Sequence, residues 1–327
     1  MAQHISADAP LEADANVDSD SAVDASSIGY SSDLTSITSS ILNYEMDVDT
    51  IPTEQPNDDD EQDRMDLLHH VYGLLLQGQL HYAPIPESPQ RVLDLGTGTG
   101  IWASDFADQY PSAQVIGNDL SPIQQKWTPP NCSFEIDDFE EEWTFSQPFD
   151  YIHGRELAGS VKDFDRLFAQ AYKHLKPGGH LEMQSFRVEL FSDDGTLQNA
   201  PYTNEWISLL HDASLKFGKI MTNMDEWPEK MAKAGFEDIQ LRVVKVPMNP
   251  WPEDRKQKEI GLYMRCEQEQ AAAGYTTALL SRVLGWSKQE IDVLLGHVIS
   301  ELRDTSIHQY SKMYLVYGRK PGKSVAE

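Results

Sequence analysis

The most informative residues of this chain are an acid and three glycines that lie close together in the segment RVLDLGTGTG. Glycine permits positive backbone dihedral angles and lets a ligand approach the backbone closely. The spacing of Gly96, Gly98 and Gly100 departs from the dinucleotide-binding fingerprint, whose third glycine stands one residue later, where this chain has Ile101. The carboxylate of Asp94 is unfavourable beside a pyrophosphate and suits an ammonium and a sulfonium. The cluster therefore indicates a positively charged ligand.

Three further residues stand where the next two predicted strands end. Asp119 lies nineteen residues after Gly100, and an acid there can accept two hydrogen bonds from a ribose diol. Asp138, in the pair Asp137-Asp138, is placed to accept a bond from an adenine amino group, with Phe139 against the ring. A single acid is common at strand ends and helix caps. Ligands of parallel sheets bind at the carboxyl ends of strands, so the joint placement indicates a nucleoside.

Short apolar runs alternate with helical stretches and predict the elements that position these residues. Residues 98–110 and 163–175 are predicted as helices. The alternation implies right-handed crossovers and an α/β fold with a mainly parallel sheet. Seven strands are predicted, at residues 91–95, 113–119, 132–137, 149–154, 180–186, 239–246 and 313–318.

Helical patterns also lie outside this alternation. Apolar residues at helical spacing predict a helix over about 63–76, which Pro84 and Pro86 are expected to end. Residues 190–225 are expected to be an insertion made of a loop and a helix. Ser287 and Glu290 have the spacing of a capping box and predict a helix start.

The charge of the chain is uneven. The formal net charge is −27, and residues 1–63 contain sixteen Asp or Glu and no Lys or Arg. Residues 1–60 also have few large apolar groups, so we expect a disordered acidic leader before a domain over 61–322 and a short tail at 323–327. The leader is either a tail that binds a protein partner or a solvated segment without such a role.

Composition argues against several classes of protein. An acidic surface does not favour direct nucleic-acid binding, which needs clustered Lys and Arg. No run of eighteen apolar residues predicts a transmembrane helix, and the acidic start is unlike a secretory signal, so we expect a cytoplasmic or nuclear location. Cys132 and Cys266 stand far apart, and we expect neither a disulfide framework nor a metal site.

The sequence resembles the class I S-adenosylmethionine-dependent methyltransferases, and is most similar to the LaeA-like group of fungal secondary metabolism. The glycine segment marks the superfamily. The subgroup is indicated by the leading helix, the HGRELAGS segment and the NPWP segment. The resemblance implies a Rossmann-like sheet of seven strands with the last strand reversed and helices on both faces, a helical lid over 61–82, and S-adenosylmethionine as cofactor.

The resemblance also assigns roles to residues. The lid helix, with His69, His70 and Tyr72, is implied to lie over the cofactor, or else simply to pack there. Asp119 is implied to hold the ribose. The adenine is implied to contact Asp138 and Phe139. The methionine part of the cofactor is implied to be held by Asp94, Gly96, Thr97, Gly98 and Gly100.

Methyl transfer from a sulfonium needs alignment, exclusion of water and, for some acceptors, a base. His153, Arg155 and Glu156 lie near the end of the fourth predicted strand, after FDYI, and we assign the catalytic role to His153 and Arg155. The alternative is that these two only pack or hydrogen-bond beneath the acceptor. Tryptophans are further candidates for an acceptor pocket, namely Trp206, Trp227 and Trp251.

Two functions remain open on the sequence. The first is a biosynthetic enzyme that methylates a small secondary metabolite at oxygen, nitrogen or carbon. The second is a LaeA-like nuclear regulator of secondary-metabolite gene expression. A nicotinamide-dependent oxidoreductase is a weaker alternative, which Asp94 and Ile101 oppose.

Overall fold

The secondary structure alternates between strands and helices over most of the domain. A computed structural model describes residues 11–14 and 59–322. Its strands are β1 (Arg91–Leu95), β2 (Gln114–Asp119), β3 (Cys132–Ile136), β4 (Phe149–Arg155), β5 (Leu175–Phe186), β6 (Glu237–Pro247) and β7 (Tyr310–Arg319). Its helices are α1 (Asp59–Leu75), α2 (Ile101–Gln109), α3 (Phe164–His174), α4 (Pro201–Phe217), α5 (Trp227–Ala234), α6 (Arg255–Leu279) and α7 (Lys288–Arg303).

The strands form one sheet in the order β3-β2-β1-β4-β5-β7-β6. Strands β1 to β5 run parallel to one another, and β7 runs antiparallel to both β5 and β6. The expected seven-stranded sheet with a reversed last strand is therefore confirmed. Its chain order reverses at β1, so the carboxyl ends of β1, β2 and β4 meet at one edge, where ligands of such sheets bind.

Apolar layers cover both faces of the sheet. On one face, Trp102 and Phe106 of α2 pack against β1, β2 and β4. On the other face, α3 and α5 cover the strands with a row that includes Phe168 and Trp227. Burial on both faces explains why the central strands are continuous apolar runs in the sequence.

A second helical layer lies beyond these faces. Helix α1 packs against β6, β7 and α6 through an apolar cluster that includes Tyr72 and Met264. Helices α4, α6 and α7 share another cluster around Trp206. The capping box at the start of α7 is confirmed, because Ser287 accepts from the Glu290 amide and the Glu290 side chain accepts from the Ser287 amide.

Several predicted boundaries differ from the structure by a few residues, and two of these differences have a clear structural cause. The leading helix ends at Leu75 rather than at the prolines, because Gln77 and Gly78 adopt positive φ angles of 56° and 80° and the Gly78 amide bonds to the Gly73 carbonyl at 2.7 Å. Strand β5 begins at Leu175, five residues before the predicted start. The Gly178 amide donates to the Lys320 carbonyl, and the Lys320 amide donates to the Gly179 carbonyl. This long-range pairing extends the strand, although the two glycines suggest a loop when the local sequence is considered alone.

The expected leader over residues 1–60 lies outside the described residues, apart from 11–14 and the first two residues of α1, and the tail 323–327 lies outside them as well. Residues 11–14 run against the NPWP segment, where Ala13 forms a bridge with Pro252. Asp14 forms an ion pair with Lys258. Among the described helices, none is long and apolar enough to cross a membrane.

Candidate active site

The turn between β1 and α2 requires its three glycines. Gly96, Gly98 and Gly100 have φ angles of 60°, 56° and 79°, which side chains disfavour. Space is also short, since a Cβ on Gly96 would lie 2.5 Å from Leu157 Cδ2 and one on Gly100 would overlap the Phe134 ring. The turn therefore presents backbone at the edge where β1, β2 and β4 end.

Asp94 lies directly beneath this turn and is almost fully buried. One carboxylate oxygen accepts from the Thr97 hydroxyl at 2.6 Å, and the other accepts from His153 Nδ1 at 2.7 Å. The Thr97 amide in turn donates to the carbonyl of Asn118 at 2.9 Å. Asp94 and Thr97 are thus brought together as the sequence predicts, with the carboxylate orientation fixed by two donors.

His153 is fully buried. Its ring stacks on Trp102 with centroids 3.7 Å apart and an interplanar angle of 9°. It is not among the residues that line the cavity described below. This placement favours the second role left open for His153, that of packing and hydrogen bonding, over proton transfer with an acceptor.

Asp119, at the end of β2, is bound to the same turn. Its Oδ2 accepts from the Gly98 amide at 2.9 Å, and its Oδ1 accepts from the Ser121 amide at 3.0 Å. Burial raises the pKa of the Asp119 carboxyl, and the two amide donors oppose that rise. The acids that follow β1 and β2 therefore meet at one turn.

Asp138 and Phe139 follow β3 on the far side of the turn. Phe139 is buried, and its ring edge is 3.3 Å from the position of a Cβ on Gly96. Asp138 accepts from the amide of Glu140 at 2.9 Å, which caps a short local turn. Phe139 thus reaches the glycine turn, and a contact of Asp138 with adenine stays a prediction.

Helix α1 lies over the glycine turn. The sulfur of Met65 is 3.0 Å from the position of a Cβ on Gly98, and Asp66 accepts from the Thr99 hydroxyl at 2.8 Å. His69 bonds to Asp105 of α2 at 3.0 Å. Helix α1 therefore contacts the glycine turn, and its role as a lid over a bound cofactor stays a prediction.

The side chain of Arg155 contacts helix α1. Its guanidinium donates to His69 Nδ1 at 3.0 Å and lies 4.8 Å from the centre of the Tyr72 ring. Burial lowers the pKa of His69, while its hydrogen bond to Asp105 opposes that shift. A neutral His69 accepts from Arg155 and donates to Asp105. Arg155 does not line the cavity, so its position fits a structural role better than the predicted catalytic one.

A cavity of about 180 Å³ is lined by α1, α4, α6 and the segments at the ends of β4 and β5. Residues 190–225 contribute several of its side chains, including Trp206, Leu210 and Met221. Trp227 packs against Phe164 in the core, with ring centroids 5.2 Å apart. Trp251 stacks on His308 instead, with centroids 4.9 Å apart. Of the three candidate tryptophans, only Trp206 therefore lines the cavity.

Glu156 lines this cavity, although the catalytic role was predicted for His153 and Arg155. It accepts from the Tyr72 hydroxyl and from the Phe186 amide. Burial raises the pKa of Glu156 to about 7, although both donors oppose the rise. The sequence places Glu156 at a strand end but carries no signal of this burial.

A buried charged cluster borders the cavity and was missed entirely. The guanidinium of Arg64 bonds to Glu61 at 2.6 Å, to Glu267 at 2.5 Å and to the Tyr275 hydroxyl at 3.0 Å. Arg64 and Glu267 are 203 residues apart, so no local pattern announces the contact. Within residues 59–322 and 11–14, no group of three or more His, Cys, Asp or Glu is arranged to hold a metal ion.

Comparison with solved structures gives a fold likeness only. Phosphoethanolamine N-methyltransferase 2 of Haemonchus contortus, solved with S-adenosyl-L-methionine, aligns with 77% of this chain and 52% of its own. The TM-score is 0.47 and the identity is 24%.

Sequence comparison is more decisive. The chain is 38% identical over 308 residues to the methyltransferase pytC of Aspergillus terreus, covering 90% of this chain and 94% of pytC. It is 37% identical over 273 residues to the secondary metabolism regulator LAE1 of Cochliobolus heterostrophus, covering 81% of this chain and 89% of LAE1. Residues 67–241 match the family described as methyltransferase domain. The chain therefore belongs to the methyltransferase-domain family.

Proposed function

We propose that this chain transfers a methyl group from S-adenosylmethionine to a small-molecule acceptor of fungal secondary metabolism. The observation that carries the proposal is the convergence of Asp94 and Asp119 on one glycine turn, through Thr97 and the Gly98 amide. Two carboxylates beside the glycine backbone of the turn make a negative potential, which suits a cationic ligand better than a pyrophosphate. The family match favours the same interpretation over an oxidoreductase.

The residues present fit this cofactor. One oxygen of the Asp119 carboxylate accepts from the backbone amide of Gly98, and the other accepts from the backbone amide of Ser121. A carboxylate has about four acceptor sites, so Asp119 keeps the capacity to bind a ribose diol. In the proposal, Asp94 and the turn from Gly96 to Gly100 hold the amino-acid part. Asp138 and Phe139 face the adenine. When bound, S-adenosylmethionine supplies a methyl group on a positively charged sulfur.

The protein contributes alignment and exclusion of water. Helix α1 covers the turn through Met65 and Asp66 and borders the cavity through Arg64 and Leu68. A helix in this position shields both ligands from solvent and holds them next to each other. Such positioning supplies a large part of the barrier reduction in a displacement reaction.

A regulatory role is the second candidate, because LAE1 is a secondary metabolism regulator and is similar over most of this chain. In that case the acceptor site serves a different partner, and the acidic leader over residues 1–60 is a candidate contact for a nuclear protein. The apolar cavity next to the turn favours the enzyme, since a regulator without a small acceptor has no need of it.

Calorimetry with S-adenosylmethionine and with NAD tests the cofactor. We expect S-adenosylmethionine to bind and NAD to show no binding. Asp119→Asn should lower the affinity for S-adenosylmethionine at least tenfold. Asp137→Asn is the matched control, because Asp137 is an exposed acid at the same sheet edge and should leave the affinity unchanged. Binding of NAD alone, or equal effects of both variants, contradicts the proposal.

Deletion of the gene separates the enzyme from the regulator. We expect the loss of one methylated product with unchanged transcripts of biosynthetic genes, measured by metabolite profiling and transcript counting. A broad change of transcripts would instead support the regulatory role.

A further inference from the structure

We propose that Glu156 is the catalytic base and that the acceptor is a hydroxylated aromatic molecule methylated at oxygen, an inference that rests on the proposed function. Glu156 directly follows β4 and lines the cavity. Its neighbour Leu157 reaches the glycine turn, where its Cδ2 lies 2.5 Å from the position of a Cβ on Gly96. Glu156 therefore stands between the cofactor turn and the acceptor cavity.

Hydrogen bonds fix the orientation of the Glu156 carboxylate, and one of its oxygens can accept a further hydrogen bond. Its Oε1 accepts from the Tyr72 hydroxyl and from the Phe186 amide, the latter at 3.1 Å. Its Oε2 accepts from the Ser185 hydroxyl at a longer 3.3 Å. A carboxylate oxygen has two acceptor sites, so Oε2 keeps capacity for a donor from the acceptor molecule. The φ angle of Glu156 is 56°, a conformation that non-glycine residues adopt rarely and that concentrates at functional sites.

The surroundings of Glu156 make it a base near neutral pH. The titratable groups that act on it are Tyr72 of α1, Arg155 beside it and Glu267 of α6. The guanidinium of Arg155 is engaged by His69 and the Tyr72 ring, and the net effect of burial keeps the pKa of Glu156 at about 7. A base of this strength is partly ionised and still accepts a proton readily at physiological pH.

The size and the side chains of the cavity favour an aromatic ring as the apolar part of the acceptor molecule. A cavity of about 180 Å³ is slightly larger than the ~150 Å³ site that holds benzene in an engineered core, so it admits about one substituted ring. Methionines give the wall an adaptable, polarisable surface that suits an aromatic face. The side chains that carry this argument are Phe186, Leu190, Trp206, Leu210, Met221 and Met248.

The proton balance explains the preference for a hydroxyl. The acceptor oxygen gives its proton to Glu156 and forms the bond to the methyl carbon with an electron pair. The carbon–sulfur bond breaks, and its electron pair stays on sulfur, so the sulfonium charge is neutralised as Glu156 becomes a neutral acid. A carboxylate acceptor is already ionised and needs no base, so Glu156 would have no proton to accept from it.

Ligand-observed NMR titration of the full chain at pH 8 tests the proposal with p-cresol and its methyl ether, 4-methylanisole. We expect the wild type to bind p-cresol about tenfold more tightly, as a hydrogen bond to a charged group predicts. Glu156→Gln should abolish this preference. Glu189→Gln should retain it, because Glu189 also lines the cavity but is paired with Arg187.

Calorimetry and transfer of labelled methyl to p-cresol complete the test. Glu156→Gln should bind S-adenosylmethionine within about twofold of the wild type and lose about 10²-fold in transfer rate. A cresol preference that survives in Glu156→Gln, or a wild type that binds neither probe, overturns the inference. Failure of the wild type to bind S-adenosylmethionine counts against the proposed function, whereas an absent cresol preference counts against the inference on Glu156, because the cresol titration needs no cofactor.

Discussion

Replacing Arg64 with methionine is expected to lower the free energy of unfolding by about 3–5 kcal/mol at pH 8. The Arg64 side chain is 5% exposed, and its partners Glu61 and Glu267 are 4% and 9% exposed. Methionine fills much of the space but leaves two buried carboxylates without their cation. Glu61 lies in the first turn of α1, where the helix dipole offsets about 0.3–1 kcal/mol, so we expect the lower end of the range.

The pH dependence and a double variant make this expectation specific. Burial raises the pKa of Glu267 while Arg64 opposes the rise, so removal of Arg64 raises that pKa further. A raised pKa in the folded state favours folding at low pH, and the loss in stability should therefore be smaller at pH 6 than at pH 8. Urea unfolding measures both values. A loss below about 1 kcal/mol at pH 8, or an Arg64→Met/Glu267→Gln variant no more stable than Arg64→Met, would refute the reasoning.

Three further predictions concern stability. Gly100→Ala should cost more in urea unfolding than the roughly 1–3 kcal/mol of its left-handed backbone, because its Cβ overlaps Phe134; Gly285→Ala, at a φ of 76° in open space, should cost only the backbone part. The unfolding free energy of wild type should fall with rising pH between 4.5 and about 7 through Glu156, and Glu156→Gln should flatten that slope in acid-to-neutral titrations. Ser287→Ala should lower the melting temperature by the equivalent of about 1 kcal/mol, and a melting curve unchanged from wild type would contradict a working capping box.

The sheet could be predicted because its signals are local. Strand β1 matches the predicted residues 91–95, and β2 and β3 differ from prediction by one residue at one end. Because both faces of the sheet are buried, these strands consist of continuous apolar residues that the sequence reveals. The glycine turn can be recognised because its backbone conformation disfavours other residue types. The start of β5 was missed because Gly178 and Gly179 look like a loop locally, while their pairing with Lys320 depends on the distant β7.

The acceptor side could not be predicted in the same way. His153, Arg155 and Glu156 are consecutive or nearly so at one strand end, and their different roles follow only from what covers each of them. The Trp102 ring stacks on His153, His69 of α1 bonds to Arg155, and Glu156 lines the cavity. The spacing of these three residues along the chain does not show these different surroundings, because the covering elements come from distant parts of the sequence.

Helix α1 couples the two sides of the site. Met65 and Asp66 rest on the glycine turn, while Arg64, Leu68 and Tyr72, spaced four residues apart, border the cavity and Glu156. Residues four apart lie on one face of a helix, so a single rigid element carries both sets of contacts. The buried ion pairs of Arg64 lie on this same helix, so they link the stability of the fold to the position of the glycine turn and of the cavity wall.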